Sequence, residues 1–470
     1  MSFLLAIAAL AACGRALLAL TRLATGRIAV DLPLAWFVGG GWFAAVTSAL
    51  RFAAEIPYTA LVAALVLGLP VLAAFFRAGL ERSARRTRDR APLHAERWRP
   101  RPLALFAPLA AYVALVCWVV VAHGTSTPTQ TDDGLRLRAF TPLLAFDDTW
   151  GPEARALLPI AGAVPTWVPS LAWRLSGHVD AFDVNAWVVT GSLAFVALVV
   201  SLGSTRGRPE HAWAAAFAAL SVPLFVYHAT TTYTDAVLAL HVGAGFAFLL
   251  ESERTKDPAD VARALLLLAV ASLVKREGAL VAAAAAGPLV LASLQRKGRR
   301  LPFVWWLVPA LPVSLDMAGM VAAVGTVQAF PMLRLVGLSG GSGAGAGASP
   351  VPFSRVVPAM VAALFRSGNA GMLYWALAAT VLFLLPALVR ARRTVGLASV
   401  LALLALSAVS SVWLIPAFTM DGSTVHRALL VVSVPGALWL AYTLTDAARG
   451  GGDRTSDAPV SPSGAAPPLR

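Results

Sequence analysis

The chain has 470 residues, of which 58% are hydrophobic and 13% charged, with a formal net charge of +14. So apolar a composition excludes a water-soluble domain, whose surface must be wetted. The basic residues are scattered in short clusters between apolar runs, which excludes a massed nucleic-acid surface and makes them markers of membrane topology.

The apolar runs recur at lengths near the ~20 residues a helix needs to cross a ~30 Å hydrocarbon layer. Runs such as 61–69 are apolar on every face, so the alternation of a membrane barrel is missing and helices are the remaining solution. The predicted fold is an all-α polytopic membrane protein with about thirteen crossings, carrying an outward platform of short interfacial helices. In chain order the crossings are 2–20, 30–50, 57–77, 103–123, 184–203, 211–228, 233–251, 260–275, 278–294, 303–325, 371–389, 396–417 and 427–445.

Every second connection is basic: Arg22 and Arg27, then 77–101, 206–208, 254–263, 296–300 and 390–393. The positive-inside rule makes these cytoplasmic and turns the intervening loops outward, including the platform 124–183 and the stretch 326–370, which reads as a flexible loop. The expected setting is a plasma (inner) membrane with the N-terminus outside and the C-terminus cytoplasmic. Residues 1–445 then form one helical membrane domain. The Gly-, Pro- and Ser-rich stretch 446–470 reads as a disordered cytoplasmic tail.

Cys13 and Cys117 both fall in apolar segments and give neither a disulfide framework nor a metal spacing. Leu10-Ala-Ala-Cys13-Gly14 has the form of a lipoprotein processing site. No basic residue precedes the run, however, and hydrophobicity continues beyond it, so a first membrane helix is the better reading.

The outward stretch 124–183 mixes Asp132, Asp133, Arg136, Arg138, Asp147, Asp148, Glu153 and Arg155 with Trp150, Trp167 and Trp173, a combination expected of an ordered surface platform. The His178-Val-Asp180-Ala-Phe-Asp183 segment matches no firm metal signature, although a divalent cation is the one cofactor these residues leave open. The glycine-rich 337–349 lacks both the preceding strand and the Gly-Lys-Ser/Thr of a phosphate loop, and reads as a flexible lid or tether.

Ionisable residues near membrane depth are costly and therefore informative. Asp235 opens a helix at its outer end, where the helix dipole favours a carboxylate or an anionic ligand, though an ordinary first-turn acid would look the same. Lys275-Arg276-Glu277-Gly278 breaks an apolar run on the outer side, either as a hairpin turn with a snorkelling base or as a cationic site. His426-Arg427 begins the last crossing on that side, as a headgroup anchor or as part of the same site. Asp316 lies inside a crossing that Pro309 and Pro312 interrupt, and needs a buried partner. A hydrogen bond to a neighbouring helix is favoured over a site role, because the position reads as too deep for an outward pocket.

One outward face thus collects carboxylates and cations, an inventory suited to deprotonating an acceptor hydroxyl while a phosphate departs. At these residues the sequence resembles the GT-C superfamily of glycosyltransferases, the polyprenyl-phosphate-sugar-dependent group that includes protein O-mannosyltransferases and lipid A aminoarabinose transferases. Thr131-Asp132-Asp133-Gly134-Leu135 stands in the place of that family's acidic motif, followed by Pro165-Thr-Trp-Val-Pro-Ser-Leu171. Tyr233-Thr-Asp235 resembles its helix-opening Thr-Asp element, Leu273-Val-Lys275-Arg-Glu277-Gly278 its Lys-x-Glu-Gly turn, and His426-Arg427-Ala-Leu-Leu its late helix start.

The resemblance implies transfer of a sugar from a polyprenyl-phosphate donor to a lipid, glycan or protein acceptor at the membrane, with no nucleic acid involved. It assigns Asp133, Asp132 and Asp235 to catalysis, Lys275, Arg276, Arg427 and His426 to the donor phosphate, Glu277 to a supporting role, and no resident metal. Two features depart from the family pattern: three helices precede the acidic loop, and Arg136-Leu137 replace an aromatic-His pair. The alternatives are a polytopic transporter or flippase, for which no internal repeat is evident, and a non-catalytic assembly partner that keeps the fold.

Overall fold

The computed structural model of the chain describes residues 2–85, 110, 114, 162–178, 181–204, 209–229, 234–275, 278–295, 303–324, 353–366, 371–390, 394–409 and 423–450. Among these residues the regular structure is entirely helical. In hydrocarbon, backbone N–H and C=O groups must find partners within the segment, and a helix is how an apolar run does so.

The helices are α1 (Ser2–Leu20), α2 (Ile28–Ser48), α3 (Ala60–Arg85), α4 (Ala163–Ser176), α5 (Ala181–Ser204), α6 (Pro209–Leu220), α7 (Pro223–Ala229) and α8 (Thr234–Thr255). They continue as α9 (Pro258–Ser272), α10 (Gly278–Gln295), α11 (Phe303–Val324), α12 (Phe353–Phe365), α13 (Leu373–Arg390), α14 (Val395–Val409) and α15 (Ser423–Gly450). One wide π-helical turn, Ala49–Ala53, extends α2.

Five of the described helices are long and apolar enough to cross a membrane: α1, α2 with its π turn, the Ala60–Ala78 part of α3, the Ala186–Ser204 part of α5, and α8. The most apolar of them, α1 and α3, are the least buried, whereas α2 and α8 are less apolar and lie deepest. Lipid contact explains this order, because the bundle interior accepts the small and polar residues that lipid rejects. On α3 the exposed stripe Leu61, Leu65, Leu69, Leu72 and Phe76 is the lipid face, while Ala63, Val66 and Leu67 turn inward. Helix α8 is buried from Thr234 to Ser252 and packs on α5, α9 and α15.

Small residues let the backbones approach. A Cβ added at Gly14 would lie 1.9 Å from the Ala35 carbonyl oxygen, and one at Gly39 would lie 1.9 Å from that of Leu10, so α1 and α2 touch backbone to backbone. Cys13 is fully buried in this contact zone.

Several boundaries differ from the sequence reading. The predicted crossing 211–228 is divided into α6 and α7, because Pro223 cannot donate to the preceding turn and instead opens a new helix. Helix α11 runs unbroken through Pro309 and Pro312. Helix α12 occupies part of the stretch 326–370 expected to be a flexible loop. Helix α4, expected to lie at the membrane surface, is buried from Ala163 to Trp173 and packs on α1, α2, α3 and α5. The last helix continues to Gly450, beyond the point where a disordered tail was expected to start. The predicted crossing 103–123 apart from residues 110 and 114, residues 410–417 and the glycine-rich 337–349 lie outside the described residues.

Long-range bonds gather the loops at two ends. At one end, Arg77 donates to the Leu20 carbonyl at 2.6 Å, Arg263 Nε donates to that of Leu23 at 2.8 Å, and Glu253 accepts from the Val395 amide at 2.8 Å. Arg263, counted from sequence among the loop charges, is buried and paired with Asp260. Asp31, also buried, accepts from the Thr25 amide and hydroxyl and the Gly26 amide, and faces Arg15 at 3.3 Å. The other end holds the candidate site.

Candidate functional site

Helix α8 begins at Thr234, which places Asp235 in its first turn, where unpaired helix N–H groups favour a negative charge. Helix α9 starts from an Asp257 cap that accepts from the Ala259 amide, with Pro258 at its first position, and ends at Ser272. Three residues later Lys275 turns its ammonium onto Asp235, with Nζ donating to Oδ1 at 2.9 Å. Both side chains are buried. His228, at the end of α7, places Nδ1 4.0 Å from the second carboxylate oxygen, Asp235 Oδ2.

An ion pair withdrawn from water loses solvation that its mutual attraction only partly restores. Hence it is a poor device for stability and a good one for holding a charged group at a fixed place. The ammonium carries three N–H donors, and one of them serves Asp235.

The turn bearing Lys275 is tightly closed. The Gly278 amide donates to the Lys275 carbonyl at 2.8 Å, and a Cβ on Gly278 would come within 2.5 Å of the Ala271 carbonyl oxygen. Segment 162–176 docks on this turn: the Val164 amide donates to the Leu273 carbonyl at 3.1 Å. Gly162 adopts φ +76, and a Cβ there would lie 2.0 Å from the Val274 carbonyl oxygen. Only glycine meets both conditions at once. Thr166 Oγ1 then donates back to the Gly162 carbonyl at 2.6 Å, closing the first turn of α4.

Of the site residues read from sequence, Asp235 and Lys275 are thus brought into direct contact. Asp132, Asp133, Arg276 and Glu277 lie outside the described residues. His426 and Arg427 stand near the start of α15, with their side chains outside the described set. His178 is exposed just beyond α4, with Nδ1 3.3 Å from the Ser176 carbonyl oxygen. Among the described residues no three His, Cys, Asp or Glu side chains lie together as a metal set. Sequence reasoning missed Gly162 and His228. The signal for His228 was Pro223, which restarts the helix and sets the histidine at its end.

Comparison of the chain with protein-family models, with curated proteins and with solved structures finds no match. The chemistry of the site itself therefore carries the functional reading.

Proposed function

We propose that the chain is a membrane glycosyltransferase that moves a sugar from a polyprenyl-phosphate donor to an acceptor hydroxyl at the end of the bundle where Asp235 and Lys275 meet, and that this end faces outward. The observation that supports the reading is the buried Asp235–Lys275 pair, a cation fixed within an apolar wall beside a docked outward segment.

In the proposed step the acceptor oxygen attacks the anomeric carbon, and the bond from that carbon to the phosphate oxygen breaks. Its electrons leave on the polyprenyl phosphate, and the acceptor proton passes to a carboxylate, Asp133 or Asp132. Lys275, with Arg276, Arg427 and His426, supplies charge to the departing phosphate. Asp235 is better suited to holding the Lys275 ammonium than to taking a proton, since it already accepts from that ammonium at 2.9 Å. Glu277 orients the neighbouring bases.

The test is transfer by purified protein in proteoliposomes, with a panel of radiolabelled polyprenyl-phosphate sugars. The expected result is label moved to an acceptor, with Lys275→Met lowering kcat/KM by about 100-fold in folded protein, the size of losing one donor to a developing anion. Full transfer by both Lys275→Met and Asp133→Asn overturns the assignment. Movement of intact lipid-linked sugar between leaflets without transfer favours a flippase instead.

A further inference from the structure

Helix α12, Phe353–Phe365, has 13 residues. It rises roughly 20 Å, too little to cross a hydrocarbon layer of ~30 Å. Its exposed residues Ser354, Arg355, Pro358, Val361 and Ala362 recur at helical spacing and form one stripe, polar at its start and apolar beyond, while Ala363 is buried against the bundle. Arg355 stands at the head of the stripe, and Arg366, also exposed, follows the last turn. The connection 326–370 holds these two arginines and Arg334, and no acidic residue. It reads from sequence as outward, the side on which the positive-inside rule makes basic residues scarce, so its arginines answer to something other than topology.

At its end α12 turns into α13 through a fixed corner. Trp375 Nε1 donates to the Phe365 carbonyl at 3.3 Å, and the two rings stack with centroids 4.5 Å apart. The neighbouring Tyr374 hydroxyl donates to the Leu429 carbonyl, near the start of α15, at 3.0 Å. Trp375 itself is 53% exposed. An open indole whose N–H is already satisfied is the kind of side chain that gathers at a lipid–water boundary. Beyond this corner α12 meets α13 and α15 over a short length only, whereas α1 and α2, also joined by a short connection, share a long seam. Helix α12 therefore departs from the direction of α13 instead of running back beside it.

We propose that α12 lies in the plane of the membrane surface, with its apolar stripe in the lipid and Arg355 and Arg366 on the phosphates of anionic phospholipid headgroups. Arginine suits both halves of that task, since its stem covers apolar surface while its planar fork pairs with phosphate oxygens. The arrangement needs no particular reaction and stands apart from the glycosyltransferase reading.

Nitroxides at Ser354→Cys and Val361→Cys test the orientation, on the full chain in nanodiscs with Cys13 and Cys117 replaced. The two positions share one face and lie roughly 10 Å apart along the helix. Both labels are expected to meet oxygen more often than a water-soluble nickel chelate, at depths that agree within about 4 Å. Depths that differ by about 10 Å would mean a helix inserted end-on. High chelate access at both positions would mean a helix in water, and shielding from both reagents a stripe covered by protein. Each of these three results overturns the proposal.

The headgroup contact is read from hydrogen exchange at 353–366. Adding phosphatidylglycerol to phosphatidylcholine nanodiscs is expected to slow it about tenfold, and Arg355→Gln with Arg366→Gln to abolish that response, with exchange at 255–260 unchanged throughout. A parent protein indifferent to phosphatidylglycerol, or a double variant that responds as the parent does, overturns the assignment. So does equal slowing by inorganic phosphate in phosphatidylcholine alone, which would make this a site for a free anion and not a membrane contact.

Discussion

The Asp235–Lys275 contact joins two residues 40 positions apart, each buried and each costly to strand. Removing one partner leaves the other charge in a dry site, and such losses run to about 3–5 kcal/mol, whereas replacing both with apolar groups costs far less. Lys275→Met and Asp235→Leu are therefore each expected to lower stability by that amount, and the double variant by much less than the sum, as read from equilibrium unfolding in detergent. Additive losses would mean that the two charges do not interact. A second residue-scale prediction separates strain from collision. Gly162 and Gly177 have nearly the same positive φ, +76 and +77, but a Cβ at Gly177 meets nothing within 4 Å, whereas one at Gly162 would lie 2.0 Å from a carbonyl oxygen. Alanine is expected to cost about 1 kcal/mol at Gly177 and roughly 3 kcal/mol or more at Gly162, where the docked backbone must also move. Both partners of the ion pair stood out in sequence because charge beside apolar runs is conspicuous. Their union did not, since nothing in the order of residues shows that α8 and α9 lie side by side, and the value of Gly162 likewise depends on a partner more than a hundred residues away.

At the scale of elements, apolar length was the readable quantity. The first three crossings, α5, and α8 to α11 fall close to the runs that hydropathy marks, because the backbone of an apolar stretch has no better option than a helix. Two kinds of element escaped it. Helix α12 follows a glycine-rich stretch and is too short to register as a crossing, and α4 carries tryptophans that suggest an interface although its surroundings bury it through Trp173. How helices pair is governed by residues with little hydropathy signal of their own, the glycines above all. Gly39 meets the Leu10 carbonyl across the α1–α2 contact, while Gly68 on the lipid-facing α3 meets nothing within 4 Å. Hence Gly39→Ala is expected to destabilise the bundle by about 2 kcal/mol through forced separation of the two helices. Gly68→Ala should be neutral or stabilising by up to about 1 kcal/mol through helix propensity. Thermal unfolding of the two single variants in the same detergent compares them directly, and equal effects would refute the close-packed reading of α1 and α2.

Across the whole molecule, the contacts sort the connections into two groups that match the alternation of basic and non-basic loops. Leu20, Leu23, Glu253, Asp260 and Val395 come from connections read as cytoplasmic, and the bonds of Arg77, Arg263 and Glu253 draw them together at one end. Ser48, Val164, Leu273, Lys275 and Asp235 come from connections read as outward, and they meet at the other. Chain folding alone would produce two ends in any bundle of up-and-down helices. What it does not dictate is that the connections richest in arginine fall together, the arrangement expected of a membrane protein under the positive-inside rule. The ionic groups at the first end include the buried Asp31 and Arg263, so part of its charge knits α1, α2 and α9. The sidedness is decided by labelling in intact cells with a membrane-impermeant thiol reagent, in a background where Cys13 and Cys117 are replaced. Both His178 and Lys256 are exposed, one beyond α4 and the other between α8 and α9. His178→Cys is expected to label from outside, and Lys256→Cys, like Arg88→Cys, only after the membrane is opened. The reverse pattern would turn the Asp235–Lys275 site toward the cytoplasm, where an outward-facing transfer from a lipid-linked sugar could not use it. Labelling of both His178→Cys and Lys256→Cys from outside would break the two-ended arrangement itself.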